Sequence, residues 1–139
     1  SAGRLNIEIT ETVLMDDTTH TQTMLTRLRG LGVNLHIDDF GTGYSSLGYL
    51  QRFAAGGLKI DRSFITRLGD AKGTELVRAL IAMAHSLDMK VTAEGVETDQ
   101  QLDVLGALEC DYAQGYLISR PSPELTDFMH LMLPAGAAA

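Results

Sequence analysis

Apolar and polar positions follow two rhythms along the chain. Short stretches in which every second residue is apolar are followed by longer stretches in which apolar residues recur three or four apart. The first rhythm predicts strands and the second predicts helices. Strands are expected at LNIEI (5–9), VNLHI (33–37), LKI (58–60), KVTAE (90–94) and YAQG (112–115). A helix over 17–29 would carry Met24, Leu25 and Leu28 on one side and stop before Gly30. A second, over 44–53, follows a glycine-containing loop. The clearest stripe, Leu76, Val77, Leu80, Ile81, Ala84 and Leu87, predicts a helix over 74–87. Thr98 with Gln101 three residues on is a capping-box pattern for a helix over 99–108. Ser122 and Pro123 are a cap and first-turn pair for a helix over 123–132.

Strand, helix, strand, helix predicts parallel strands with helices packed against them. A (β/α)8 barrel and a doubly wound open sheet share that rhythm. Side-chain parity separates them, because successive residues of a strand point to opposite faces. Leu5, Ile7 and Ile9 oppose Asn6 and Glu8; Val33, Leu35 and Ile37 oppose Asn34, His36 and Asp38. Leu58 and Ile60 flank Lys59, Val91 and Ala93 oppose Thr92 and Glu94, and Ala113 opposes Tyr112 and Gln114. An open sheet would bury all those polar groups under helices, which is costly. A barrel points them inward and places the strand ends at a catalytic mouth. The expected fold is therefore α/β, a partial TIM-type barrel of about five βα units, with Glu8, Asp38, Lys59, Glu94 and Gln114 on its inner face.

The stretch IDDFGTGYSS (37–46) adds the candidate chemistry. Two adjacent carboxylates repel unless a positive charge sits between them. Asp38 ends a strand facing the mouth, and the glycines at 41 and 43 would let the chain turn so that Asp39 swings toward the same space. Carboxylates and water are the ligands that magnesium or manganese prefers. The four histidines are scattered and show no zinc-type pairing. His36 is expected to line the barrel by hydrogen bonding, Tyr112 and Met83 to pack, and Asp61 with Arg62 to form an ion pair of the loop.

Bulk properties narrow the picture further. A chain of 139 residues with 45% hydrophobic and 21% charged residues suits one ordinary domain. A net charge of −7 gives no footprint for duplex DNA or anionic lipid, so a phosphate ligand would need bound cations. No apolar run long enough for a membrane span and no secretory signal are visible. Cys110 is the only cysteine, which fits a reducing cytoplasm. Residues 1–133 are expected to form the domain and 134–139 a disordered tail.

Five ordered segments carry a resemblance: EITE (8–11), DDFGTGYSSL (38–47), LKIDRSFI (58–65), AEGVET (93–98) and DYAQGYLISRP (111–121). Together they resemble the EAL family of cyclic-di-GMP phosphodiesterases over roughly residues 5 to 132. The resemblance implies a (β/α)8-type barrel and hydrolysis of cyclic-di-GMP to pGpG with Mg2+ or Mn2+. It implies Glu8, Asp38, Asp39 and Glu94 as metal ligands, with Asp38 bridging two ions. It implies Lys59 as the residue that holds the nucleophilic water, and Glu97 and Gln114 as water-binding or supporting positions. Glu11 would anchor a loop containing Phe40, Gly41, Thr42, Gly43 and Tyr44, which in this family couples metal binding to dimer contacts. A homodimer and an upstream GGDEF-like or sensory domain are expected by the same resemblance.

The chain also departs from the family pattern. The Glu-Ala-Leu motif, the asparagine ligand and the ligand-contacting arginine that precede EITE in the family are absent. On that pattern the chain begins at about the fourth strand. It is expected to be a fragment or a natural half-domain, inactive or nearly so by itself. The alternatives are a non-catalytic cyclic-di-GMP-binding or dimerisation module and an interaction fragment without ligand.

Overall fold

The computed structural model describes residues 5–15, 19–41, 50 and 55–121. Its centre is a five-stranded parallel sheet: β1 (Asn6–Thr10), β2 (Asn34–Phe40), β3 (Gly57–Ile60), β4 (Lys90–Glu94) and β5 (Tyr112–Gln114). Strand order in space follows the chain. That is the arrangement of consecutive βα units in a barrel, not the crossed order of a doubly wound sheet.

The apolar parity face meets the helices. Leu35, Ile37, Leu58, Ile60, Val91 and Ala93 share one core with Leu25, Ile65, Val77, Ile81, Ala84 and Leu105. The helices are α1 (Glu11–Met15), α2 (Thr19–Gly30), α3 (Arg62–Ile65), α4 (Ala71–Ser86) and α5 (Asp99–Ala107). The opposite face of the sheet is polar and lines an open cavity of about 520 Å³ with Asn6, Glu8, Asn34, His36, Lys59 and Gln114 among its walls. The fold is thus the expected partial TIM-type barrel.

Capping sets the helix starts. Asp70 accepts from the Gly73 amide at 3.1 Å and starts α4 at Ala71, three residues before the expected start at 74. The Thr98–Gln101 capping box forms as expected and starts α5 at Asp99. Two short helices, α1 and α3, were not expected; each is too short to show a 3.6-residue period. The stripes are narrower than the sequence suggests. Met24 and Leu76 are exposed beside buried Leu25 and Val77. Leu5 is also exposed, just ahead of β1. Tyr112, expected to pack, is 58% exposed, whereas Met83 does pack against the core. The expected helices over 44–53 and 123–132 and the tail over 134–139 lie outside the described residues.

Candidate active site

The site grows from the C-terminal ends of four adjacent strands. Lys59 stands in β3, whose four residues are all buried. Its ammonium lies 2.9 Å from Glu8 Oε2 on β1, 3.1 Å from Asp38 Oδ1 on β2 and 2.8 Å from Glu94 Oε1 on β4. Burial alone would push the Lys59 pKa down. Close contacts with the carboxylates of Glu94, Glu8 and Asp38 outweigh it and hold the ammonium above the ordinary lysine range. Glu94 is displaced the other way for an acid: burial raises it, Lys59 opposes, and the charges of Asp38 and Asp39 raise it further.

Asp39 joins the cluster through a β-bulge. Ile37 pairs with Leu58 and Phe40 with Ile60, so β2 advances three residues while β3 advances two. The extra residue sits at Asp39, which takes a left-handed φ of 53°. The aspartate itself thus carries irregular backbone, and the expected glycine turn follows at Gly41, whose φ is 96°. The bulge also resets parity, so Phe40 returns to the core and is 4% exposed. One local irregularity therefore delivers two adjacent carboxylates to the mouth and keeps the following aromatic inside.

One carboxylate oxygen each from Asp38, Asp39 and Glu94 lies within 4.8 Å of the others. Asp38 Oδ1 is buried and has no hydrogen-bond partner among the described residues; Lys59 approaches it at 3.1 Å as a charge only. A buried, unsatisfied oxygen among clustered carboxylates is what a hard divalent cation would complete. One ammonium against four carboxylates leaves the mouth strongly acidic. The donor set fits a hard divalent cation.

The other predicted residues fall around this centre. Gln114 pairs in register with Glu94 and lines the cavity. Glu97 lies three residues past Glu94, with its carboxylate 3.1 Å from Arg62. Arg62 therefore pairs with Glu97, where the sequence suggested Asp61; Asp61 instead caps α3 by accepting from the Ser63 amide at 2.9 Å. Glu11 is buried and accepts from the Gly41 amide at 3.1 Å, which ties α1 to the start of the 40–46 loop. Gly41 has a φ of 96°, and a Cβ there would sit 2.6 Å from the Phe64 ring. Thr42, Gly43 and Tyr44 lie outside the described residues. His36 lies against Gly57, where a Cβ would come within 2.8 Å of the imidazole. The Asn34 amide donates to Asn6 across the inner face at 3.1 Å, a contact that strand parity makes findable from sequence.

Cys110 is not a nucleophile candidate, because burial pushes its thiol up. No helix of the described residues is long and apolar enough to cross a membrane.

The EAL domain family model matches residues 1–121. The cyclic di-GMP phosphodiesterase NbdA of Pseudomonas aeruginosa is 53% identical over 120 residues, which are 86% of this chain and 15% of NbdA. The bifunctional diguanylate cyclase/cyclic di-GMP phosphodiesterase MucR of the same organism is 46% identical over 122 residues, covering 87% and 18% of the two chains. The solved structure of the PaMucR phosphodiesterase in complex with c-di-GMP superposes with a TM-score of 0.83 at 42% identity, over 95% of this chain and 52% of that one. Klebsiella pneumoniae BlrP1 with manganese and cyclic-di-GMP gives a TM-score of 0.80 at 33% identity, over 86% and 31%. The chain thus spans less than a fifth of these curated relatives.

Proposed function

The chain belongs to the EAL domain family, and from that premise we propose that it supplies the metal-binding wall of a phosphodiesterase that hydrolyses cyclic-di-GMP to pGpG. The observation that carries this reading is the buried, unsatisfied Asp38 oxygen set among Asp39, Glu94 and the ammonium of Lys59. Relatives crystallised with c-di-GMP, and in one case manganese, support the same substrate and metal class.

Asp38, Asp39 and Glu94, with Glu8 on the far side of Lys59, would hold Mg2+ or Mn2+. Such ions, when bound, lower the pKa of water and neutralise phosphate charge. Lys59 holds a fixed positive charge at the mouth, where it orients the attacking water and meets negative charge growing on the phosphate. Its raised pKa keeps that charge at any working pH. Gln114 offers a neutral amide beside Glu94 for a water or a phosphate oxygen. Glu11, by gripping the Gly41 amide, couples the loop after Asp39 to the body of the domain, and through it to a second copy.

The sequence carries no Glu-Ala-Leu tripeptide. We expect activity from a protein that carries these residues in a complete EAL domain, with a GGDEF-like or sensory partner domain and a cytoplasmic location, and almost none from the 139 residues alone. The test is Mn2+-dependent conversion of cyclic-di-GMP to pGpG, followed chromatographically for both. Turnover by the longer protein that is lost in Asp38→Asn supports the reading. Tight cyclic-di-GMP binding with no turnover in either would replace it with a non-catalytic binding module.

A further inference from the structure

The β4–α5 turn, Gly95–Glu97, follows Glu94 directly and is held at each residue. The Val96 amide donates to the Gln114 carbonyl at 3.0 Å. The Glu97 amide donates to Gln101 Oε1 at 2.8 Å. At Gly95 the contact is a side chain. A Cβ there would lie 2.5 Å from Cγ of Arg62 and 2.9 Å from its Cδ, so the arginine stem rests flat on the glycine. Gly95 also has a φ of 70°, which glycine alone adopts without strain. Beyond the stem, Arg62 Nη2 reaches Glu97 Oε1 at 3.1 Å. Arg62 thus spans the turn from its first residue to its last.

Magnitude decides what this strut is for. Both side chains of the pair are well exposed, at 61% and 41%. An exposed ion pair adds little to stability. A folding role alone would not require an arginine laid over a left-handed glycine. The strut is anchored, however. Asp61 caps the start of α3, and Phe64 of the same helix packs on Gly41, just past the Asp38–Asp39 bulge. Helix α3 therefore touches the backbone behind both carboxylate-bearing strand ends.

We infer that Arg62 is a positioning residue: through its stem on Gly95 and its guanidinium on Glu97 it fixes the turn that follows Glu94 and so holds that carboxylate at the mouth. The inference rests on the proposed metal-binding role of that mouth. The motif LKID-R-SFI thereby has a function for its arginine beside that of its lysine.

Four variants of the full chain test it: Arg62→Ala, Arg62→Lys, Glu97→Gln and the double variant Arg62→Ala/Glu97→Gln. Two quantities are read for each. One is amide hydrogen exchange at Val96 and Glu97, with Leu105 in α5 as an internal reference. The other is Mn2+ affinity, from the EPR signal of the free ion. Arg62→Ala should speed exchange at both turn amides without moving Leu105, and weaken Mn2+ binding about tenfold, as loss of an outer support does. Arg62→Lys, which keeps the stem, should recover most of the protection. The double variant should be no worse than Arg62→Ala. Unchanged exchange in Arg62→Ala, or loss spread equally to Leu105, overturns the inference. Should the unaltered chain bind no Mn2+, the functional reading fails, and the exchange data alone still decide whether Arg62 holds the turn.

Discussion

The two ends of the sheet hold opposite kinds of charge cluster. At the C-terminal end one ammonium, Lys59, faces Glu8, Asp38 and Glu94, with Asp39 beside them. At the N-terminal end one carboxylate, Asp111, is met by a lysine, an imidazole and a backbone amide. Lys90 Nζ lies at 2.6 Å, His85 Nε2 at 2.8 Å, and the Val91 amide donates to it at 2.9 Å. The second cluster is satisfied. Burial would raise the Asp111 pKa, but Lys90, the Val91 amide and His85 together bring it down to about 2. The first cluster is left in excess: an unsatisfied Asp38 oxygen, a left-handed Asp39 and a Glu94 whose acidity is weakened. A cluster that satisfies itself is a fastener. One that keeps unmet charge and backbone strain is poised for something from outside.

The comparison is broken most severely at Lys59. Lys59→Met removes the ammonium shared by Glu8, Asp38 and Glu94, and destabilisation of about 2–3 kcal/mol is expected. That is below the figure for a fully buried pair, because Glu8 is half exposed. Adding Mn2+ should raise the melting temperature of this variant more than that of the unaltered chain, since the ion would replace the missing charge. Equal shifts in differential scanning calorimetry would show that no cation enters the cluster.

At the other end, Asp111→Asn should lose about 1–2 kcal/mol at pH 7 and leave Mn2+ affinity unchanged. The sign follows from the lowered pKa. A carboxylate whose folded pKa lies below its unfolded value stabilises the fold fully above about pH 4. That contribution fades as pH falls toward about 2. Urea unfolding of the two proteins should therefore converge at low pH, and a gap that persists there would remove Asp111 as a charged fastener.

Asp38→Asn sharpens the contrast, with a change in stability of no more than about 1 kcal/mol in either direction, because it relieves repulsion while weakening one contact to Lys59. Mn2+ binding should nonetheless be lost by calorimetric titration. The smallest effect belongs to the exposed Glu75–Arg78 pair on α4, at 3.3 Å. Arg78→Ala should shift stability by no more than about 0.5 kcal/mol in thermal melts, which sets the scale for a pair with neither burial nor function.

Much of the functional end was legible because parity is local. LNIEI, VNLHID, LKI and KVTAE each announce which residues share a face, and the structure brings Glu8, Asp38, Lys59 and Glu94 together on that face. The Asp111 cluster was not legible. Its members come from α4, β4 and the turn before β5, and no spacing within one element links them. The Arg62–Glu97 pair was missed for the same reason, since the nearer Asp61 offered a more obvious partner in sequence.

Local pattern was enough for the order of the strands, the long helices α2, α4 and α5, the polar face of each strand and the capping residues that start α5. These depend on periods of two and 3.6 residues and on hydrogen bonds spanning three. The assembled fold settled that Asp39 leaves regular strand geometry, that Phe40 returns to the core, and that Lys59 stands between three carboxylates. It also decided that a glycine in one turn seats an arginine from another. Those outcomes depend on register between strands and on contact between segments distant along the chain. A one-residue offset between β2 and β3 would change the outcomes at Asp39, Phe40 and Lys59.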